Sequence, residues 1–335
     1  MNITFFIGNG FDTNLNLETK YEQFYPYFIE KASQDNLIAK ELKKLDKKYS
    51  TWADLEIALG EFTDKIDVDK FDKFIDDKIE LDNLLKEYLL IEQKKFSLTN
   101  EQMEKMLVIA TQRLRECANL RDRDLLEKTL DKYKQEEYIY QVINFNYTDC
   151  LDKVWKVYGN KAIGSHKYGA LIKNERLGQV LHIHGTLTDN EMILGVNDEE
   201  QIKNKELRND KERRIFLIKP ELNEAIGQYK MTKVREILHS SEVICLFGVS
   251  IGDTDRIWWE QIGKWLWEIE THILIIYNYE PKYSLTHPYT GLKHLKEKRE
   301  AFLAKTNLTL EEQNEVMERI FIRDNEELFS LQLQN

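Results

Sequence analysis

The sequence predicts an α/β fold, with a Rossmann-like, mostly parallel sheet that carries a large helical insertion. Three observations support this prediction. Short apolar runs rich in β-branched and aromatic residues are followed by glycines or turns, amphipathic stretches lie between several of them, and a long charged segment with helical spacing follows the first run. Strands that alternate with helices imply right-handed crossovers, and therefore mostly parallel pairing.

The strands are predicted from the apolar runs, taken in chain order. They lie at residues 3–7, 138–143, 179–183, 243–247 and 272–277, and residues 191–196 could form one more. Amphipathic helices are predicted at 221–239 and 254–270. A short apolar stretch at 320–322 could add an edge strand.

The composition along the chain predicts three parts. Residues 1–30 together with 135–290 form a Rossmann-like, dinucleotide-binding core. Residues 31–134, where apolar side chains recur at helical spacing among charged ones, form an all-helical insertion between the first two strands. Residues 291–335 form a C-terminal helical segment. A chain of 335 residues is longer than one hydrophobic core usually supports, which fits a core with an insertion.

Charge and cysteine content exclude several classes of protein. A formal net charge of −11 argues against broad binding to nucleic acid or to an anionic membrane surface. No apolar stretch of about 18 residues is present to span a bilayer, and the N-terminus lacks the basic region of a signal peptide. Three widely separated cysteines predict neither disulfides nor a cysteine-built zinc site, so a cytoplasmic location is expected.

The first chemical motif follows the first strand, in the run Phe-Ile-Gly-Asn-Gly-Phe-Asp that ends at residue 12. Gly8 and Gly10, with Asn9 between them, could bring backbone N–H groups close to a diphosphate. Asp12 would suit a ribose hydroxyl, a carboxamide or a helix cap. The GxGxxG spacing is incomplete, because residue 13 is threonine. A tight turn without a ligand is the alternative interpretation.

Two further motifs follow the next strands. In Asn-Phe-Asn-Tyr-Thr-Asp at 144–149, Asn146 could fix a ribose hydroxyl or orient a water, and Asp149 could bind the cofactor or cap a helix. In His-Ile-His-Gly at 182–185, the two histidines alternate along a strand and point to opposite faces, which disfavours a shared metal. His184, at the strand end, is placed as a general base, although a single histidine on a strand is commonly structural.

The last two motifs follow the late strands. Gly-Val-Ser-Ile-Gly-Asp at 248–253 offers a second glycine turn, in which Gly248, Ser250 and Asp253 could meet a phosphate or ribose. Asn278 ends another strand. The carboxyl ends of parallel strands share one edge of the sheet. We therefore expect the Gly, Asn, His, Ser and Asn residues of these motifs to form one ligand site.

With these motifs the chain resembles the AbiH family of phage abortive-infection proteins. The resemblance rests on GNGFD at 8–12, TWADLE at 51–56, NFNYTD at 144–149, HIHG at 182–185 and GVSIGDTD at 248–255. That family is distantly similar to sirtuin-like NAD-consuming domains. The resemblance implies that Asn146 and His184 are catalytic and that Gly8, Gly10, Ser250 and Asn278 contact the cofactor. The paired CxxC zinc module of deacetylase sirtuins is absent from the sequence, so protein deacetylation is not expected.

The resulting hypothesis is a phage-defence effector that binds NAD and hydrolyses it at the nicotinamide–ribose bond, with NAD as substrate and no metal. A nucleotide-sensing module that does not turn its ligand over is the first alternative. A magnesium-dependent nuclease is the second, with Asp12, Glu56, Asp149, Asp253 and Asp255 as candidate ligands. The helical insertion could act as a lid or sensor, and a second copy of the chain or a phage-derived trigger could be a partner.

The TWADLE segment allows two interpretations. Asp54 and Glu56 could reach the ligand if the insertion folds over the crevice. Trp52, Leu55 and Leu59 lie at helical spacing, so the segment could equally serve packing alone.

Overall fold

The computed structural model describes residues 1–45, 52–116, 119–188, 191–227, 229–279, 288–324 and 328–329. Cys117 and Thr51 lie outside the described residues. The other two cysteines, Cys150 and Cys245, are buried free thiols.

The described residues contain seven strands in one sheet. They are β1 (Asn2–Ile7), β2 (Tyr138–Asn144), β3 (Ala162–Tyr168), β4 (Leu171–His182), β5 (Ser241–Phe247), β6 (Ile273–Asn278) and β7 (Ile320–Asp324). Their order across the sheet is β3-β4-β2-β1-β5-β6-β7. Every neighbouring pair is parallel except β3 and β4, which form an antiparallel hairpin. The predicted α/β fold with a mostly parallel sheet is therefore confirmed.

Fifteen α-helices surround this sheet within the described residues. The first eight are α1 (Gly10–Asn14), α2 (Tyr21–Lys31), α3 (Leu37–Lys44), α4 (Trp52–Phe62), α5 (Phe71–Gln93), α6 (Asn100–Arg113), α7 (Leu120–Lys132) and α8 (Cys150–Lys156). The others are α9 (Lys205–Asn209), α10 (Lys211–Arg214), α11 (Lys219–Ala225), α12 (Lys230–His239), α13 (Arg256–Glu268), α14 (Pro288–Leu303) and α15 (Leu310–Val316). No helix of the described residues is both long enough and apolar enough to cross a membrane.

Three details of the element prediction need correction. The candidate strand at 191–196 does not form, since only Val196 makes an isolated bridge, to Ile218. The helix predicted at 221–239 is two helices, α11 and α12. The helix predicted from residue 254 begins at Arg256, after a single turn of 3₁₀ helix at Asp253–Asp255. The edge strand predicted at 320–322 is confirmed as β7, which pairs with β6.

Side chains alternate between the two faces of the sheet and build a core on each. On one face, Phe5 and Ile7 of β1 pack with Leu107 of α6 and Leu151 of α8. On the other face, Phe6 belongs to a core completed by α12, α13, α14 and α15. Burial on both faces explains why β1, β5 and β6 appear in the sequence as nearly continuous apolar runs.

A third core lies away from the sheet. It joins α2, together with α3, α4 and α5 of the insertion, to apolar residues between 187 and 218, among them Leu194, Val196 and Leu217. The later helices of the insertion, α6 and α7, instead pack against the sheet. The helical insertion is thus held from two sides, and its first part is tied to the segment that follows β4.

The order of the strands fixes where a ligand crevice can open. The chain passes from β1 to β2 and β4 on one side, and then returns to β5 on the other side of β1. Crevices for ligands form at such a switch point, outside the carboxyl ends of the strands. In this sheet those ends are Ile7, Asn144 and Phe247.

Candidate functional site

A cavity of about 450 Å³ opens at this switch point. The turns after β1, β2, β4 and β5 form one part of its wall, with Gly8, Asn146, His184 and Gly248. The opposite wall includes Tyr21, Leu89 and Leu194 of the third core, together with Glu56 and Lys219. Volumes of about 300–1,000 Å³ are typical of pockets that hold small molecules or cofactors.

Gly10, in the turn after β1, and Gly248, in the turn after β5, allow the two backbones to come into contact. A Cβ added at Gly10 would lie 2.4 Å from the Cα of Gly248, and one added at Gly248 would lie 2.6 Å from the Cα of Gly10. Gly248 also has a φ of +63°, in the left-handed region that favours glycine. The two turns can touch only because neither residue carries a side chain.

This contact corrects one sequence expectation. The N–H of Gly8 donates to the carbonyl oxygen of Phe247 (3.0 Å), and the N–H of Gly10 donates to that of Gly248 (2.9 Å). These two N–H groups are therefore engaged within the protein and are not directed at a diphosphate. Gly8 still lines the cavity, whereas Gly10 does not.

Asn146 reaches the cavity from the turn after β2. It is 6% exposed, and its Nδ2 donates to the carbonyl oxygen of Gly8 (3.1 Å). Its backbone N–H donates to Oδ1 of Asn144 (3.0 Å), and its carbonyl oxygen accepts from Nδ1 of His182 (2.8 Å). These bonds fix the side chain and leave its Oδ1 as the acceptor for a hydroxyl group or a water.

His182 and His184 have different surroundings, as their alternation predicted. The Nε2 of His182 lies 2.7 Å from a carboxylate oxygen of Asp152 on α8, and the ring has a structural role there. His184 is 7% exposed, lines the cavity and meets the ring of Phe145 edge-on, at 5.5 Å between centroids. The structure therefore directs residue 184 to the cavity and residue 182 away from it.

The imidazole of His184 belongs to a buried chain of charged groups. Its Nε2 lies 3.1 Å from Oδ1 of Asp255, but the pair does not meet the geometry of a hydrogen bond. Lys219 Nζ lies 2.9 Å from the same oxygen of Asp255 and 2.9 Å from both oxygens of Glu56. All three partners are well buried, so this network is largely shielded from solvent.

The charges in the network shift one another. Burial acts to raise the pKa of Asp255, but Lys219 and His184 outweigh it and hold that pKa below its usual range. Burial raises the pKa of Glu56, and Lys219 offsets only part of this effect. Burial acts to lower the pKa of Lys219, but Asp255 and Glu56 outweigh it and raise that pKa. Lys219 therefore remains charged between its two acids.

Asp12 carries a further carboxyl group of the cavity whose pKa is shifted. Its side chain is 1% exposed and accepts a hydrogen bond from the hydroxyl group of Thr148 (2.7 Å). Its other oxygen, Oδ1, is buried and has no hydrogen-bond partner among the described residues. Burial raises the pKa of Asp12 to about 7, although the Thr148 hydrogen bond acts against this. A carboxyl group poised near neutral pH is a candidate acid, base or ligand contact.

Two more of the predicted residues line the cavity. Asn9 is half-buried, and its side chain ties the turn after β1 to residue 19, donating to the Thr19 carbonyl (3.0 Å) and accepting from the Thr19 hydroxyl (2.6 Å). Ser250 is exposed at the turn after β5. Both can therefore touch a bound molecule.

Besides Gly10, three predicted residues are not brought to the cavity. Asp149 pairs with Lys153 (2.7 Å) at the start of α8, and Asp253 pairs with Lys305 (2.7 Å). Asn278 donates from Nδ2 to a carboxylate oxygen of Asp324 (2.6 Å) on β7. Asn278 is displaced because β6 stands one strand beyond β5, away from the switch point.

Lys219 and Thr148 are the site residues that the sequence did not single out. Lys219 opens α11, after a segment without strand character, and its partner Glu56 lies 163 residues earlier. Glu56 does reach the cavity, and its side chain is buried, as one interpretation of the TWADLE segment proposed. Thr148 was visible only as part of the NFNYTD motif.

The candidate magnesium ligands do not gather at one point. Asp12, Glu56 and Asp255 line the cavity, but Asp149 and Asp253 do not. Lys219 stands between Glu56 and Asp255 and neutralises the charge that would attract a cation. Among the described residues, no three His, Cys, Asp or Glu side chains are grouped to hold a metal ion.

Comparison with known proteins gives one match. The model of a family described as "Bacteriophage abortive infection AbiH" matches residues 4–277, which is more than half of the chain. The match includes the turns after β1, β2, β4 and β5 that border the cavity. No curated protein matches the sequence.

Proposed function

We propose that this chain, which belongs to the AbiH family, hydrolyses NAD at the bond between nicotinamide and ribose. Membership of the family implies a role in phage abortive infection. NAD hydrolysis is our proposal for the chemistry behind that role. The observation that supports it most directly is that Asn146, His184 and Asp12 line one cavity at the switch point of the sheet.

Hydrolysis of this bond requires the protein mainly to orient the substrate and to stabilise the charge of the transition state. Water attacks C1′ of the ribose, the C1′–N bond breaks, and its electron pair moves to the ring nitrogen and leaves neutral nicotinamide. The water loses one proton, so the products are nicotinamide, ADP-ribose and H⁺. The transition state resembles an oxocarbenium ion, which the protein has to position and shield.

His184 is the proposed proton acceptor. Its ring lines the cavity, and a carboxylate oxygen of Asp255 stands 3.1 Å from Nε2. Lys219 keeps Asp255 ionised. A base positioned in this way typically contributes about 10²–10⁴-fold to the rate.

Asn146 and Asp12 are the proposed contacts to the substrate. The Nδ2 of Asn146 is held by the Gly8 carbonyl, so its Oδ1 can accept from the attacking water or from a ribose hydroxyl. The free Oδ1 of Asp12 can pair with a ribose hydroxyl or with the carboxamide NH₂. Ser250 adds an exposed hydroxyl group at the rim, suited to a phosphate.

The test is turnover of NAD by the purified full chain, followed as nicotinamide and ADP-ribose by chromatography, with and without a chelator. We expect His184→Ala to lower the rate at least about 100-fold with an unchanged circular dichroism spectrum. His239→Ala, at an exposed histidine outside the cavity, is the matched control and should keep the parent rate.

Two outcomes would contradict the proposal. If the His184→Ala variant consumes NAD as fast as the parent, His184 is not the base. If the parent leaves NAD intact and releases an unaltered nucleotide on denaturation, the chain is a nucleotide sensor and not a hydrolase.

A further inference from the structure

A second cavity, of about 340 Å³, lies behind the first. His184, Lys219 and Asp255 line both cavities and so form the wall between them. Most of the remaining lining comes from α11, from α12 and from the start of α13, which contribute nothing else to the first cavity. The second cavity is therefore a separate space with its own residues.

One side of this cavity is apolar and aromatic. Met231, Ile257 and Trp258 line it, and Trp258 is 6% exposed. Tyr229 lies at the cavity with 63% of its surface exposed. Two aromatic side chains beside a cavity of this volume suit a planar ring, because ring faces stack favourably on one another.

A buried hydrogen-bond donor faces the same space. Asn223 is 9% exposed and lines the cavity, and its Oδ1 accepts from the backbone N–H of Lys230 (3.1 Å). This bond fixes which end of the amide is which. Its Nδ2 is buried and has no hydrogen-bond partner among the described residues. A buried donor without a hydrogen-bond partner is destabilising, so Asn223 favours a bound acceptor.

Basic side chains line the second cavity, in a chain whose net charge is −11. Lys219 is committed to Glu56 and Asp255. Lys230 is buried and lines the cavity, and its Nζ lies 3.9 Å from a carboxylate oxygen of Glu191. Arg235 lines the cavity and is exposed, and Glu224 is the one other acid in the lining.

From these three features we propose that the second cavity binds a small molecule that joins a planar ring to an anionic group, of the class of nucleoside monophosphates. The ring lies against Trp258 and Tyr229, and the phosphate faces Arg235 and Lys230. The Nδ2 of Asn223 donates to the ligand. This site is distinct from the proposed NAD site, and binding there requires no turnover of NAD.

The experiment is calorimetric titration of the full chain with AMP, and with adenosine and inorganic phosphate as separate probes. We expect AMP to bind more tightly than either part. Arg235→Gln should weaken AMP binding about 10-fold or more, because a hydrogen bond to a charged group is worth about 1.5–3 kcal/mol. Lys233→Gln, on the same helix but outside the cavity, is the matched control and should bind like the parent.

Two further variants locate the ligand. Asn223→Asp keeps the acceptor for the N–H of Lys230 but replaces the donor with a negative charge, so AMP binding should be lost. Asn146→Ala, in the first cavity only, should leave AMP binding unchanged. If Asn223→Asp does not fold, the exposed Arg235 and Lys233 variants still decide the question.

The proposal is overturned if AMP produces no binding heat. It is also overturned if Arg235→Gln binds AMP like the parent, or if Asn146→Ala abolishes binding, since the ligand would then occupy the first cavity. A chain that binds AMP in this way but leaves NAD intact would support this site and contradict the proposed hydrolase.

Discussion

Asp12 and Asp255 line the same cavity and are both well buried, yet their surroundings move their pKa values in opposite directions. Asp12 receives one hydroxyl group, from Thr148, and burial raises its pKa to about 7. Asp255 lies beside the ammonium group of Lys219 and the ring of His184, and these two groups outweigh burial and lower its pKa. Burial of an acid therefore does not set its charge by itself, and the partner at hydrogen-bond distance decides it.

The difference gives the two sides of the cavity different capabilities. Asp255 stays ionised at physiological pH and supplies a constant charge beside His184. Asp12 exchanges a proton close to neutral pH, which is where an acid or base works best. The variants below test this contrast, beginning with the largest expected effect.

Lys219→Met should lower the free energy of unfolding more than any other variant, because Lys219 is the cation that pairs with Asp255. It leaves Glu56 and Asp255 buried without their cation, and the loss of one partner from a buried pair costs about 3–5 kcal/mol. The free energy of unfolding from urea titration measures this loss. Lys233→Met, at an exposed position of α12, is the control and should change stability little.

The double variant Lys219→Met with Glu56→Gln sharpens the result. It removes one of the two unpaired charges, so it should recover part of the lost stability. If Lys219→Met is as stable as the parent, or if the double variant is less stable than the single one, Lys219 is not what holds Asp255 ionised.

Asp12→Asn should have the next largest effect on stability. At neutral pH it should stabilise the protein, whereas Lys219→Met destabilises it. The pKa of Asp12 is raised from 3.8 to about 7 in the fold, so its contribution to stability is complete below about pH 4 and is lost as the pH rises through about 7. Asparagine cannot ionise, and its Oδ1 can still accept from Thr148. The stability of the variant relative to the parent should therefore rise by about 2–4 kcal/mol between pH 4 and pH 8.

The comparison is made by thermal or urea unfolding of both proteins across that range. Asp76→Asn, at an exposed position of α5, provides the matched control and should show no such rise. A constant difference between the Asp12 variant and the parent at all pH values would mean that the Asp12 carboxyl is ionised throughout, like Asp255.

Thr148→Val should have a smaller effect on the side of Asp12. Valine keeps the shape but removes the only hydrogen bond to this carboxyl among the described residues, so the pKa of Asp12 should rise above 7. At pH 8, where the parent carboxyl is ionised, the loss should be about 1.5–3 kcal/mol, and it should be smaller at pH 4. Equal losses at both pH values would assign the effect to packing instead.

Asp253→Asn should have the smallest effect and sets the baseline for the two buried acids. Asp253 lies two residues before Asp255, but its side chain is half exposed and pairs with Lys305 at the surface (2.7 Å). Exposed pairs of this kind contribute about 0–1 kcal/mol, so stability and NAD turnover should stay close to those of the parent. A large loss of NAD turnover in this variant would show that Asp253 takes part in the site after all.

The sheet could be predicted from the sequence because its central strands are buried on both faces. The apolar runs that form β1, β5 and β6 have few other places to go in a folded chain. The β3–β4 hairpin was missed for the corresponding reason. The residues of β3 are mostly exposed, so its sequence carries little apolar pattern. The absence of strand structure at 191–196 has the opposite cause, since Ile193 and Leu194 are buried in a loop.

The cavity was predictable where strands end and not where distant segments meet. Gly8, Asn146 and His184 follow strands directly, so the parallel order of the sheet brings them together. Lys219 is placed by its contacts to Glu56 and Asp255, which lie 163 and 36 positions away in the sequence, and no local spacing reveals these contacts. Asn278 was misplaced because a strand end identifies the edge of a sheet but not the position along it.

The contact between Gly10 and Gly248 limits how this cavity can change by substitution. Where the two turns meet, the surface is made of main chain, and a side chain at either glycine would push the strands apart. Adaptation to a differently shaped molecule has to come through the opposite wall, where Tyr21, Leu89 and Leu194 can be exchanged for other sizes. The edge of the sheet therefore keeps a fixed shape, whereas the wall formed by the third core can vary.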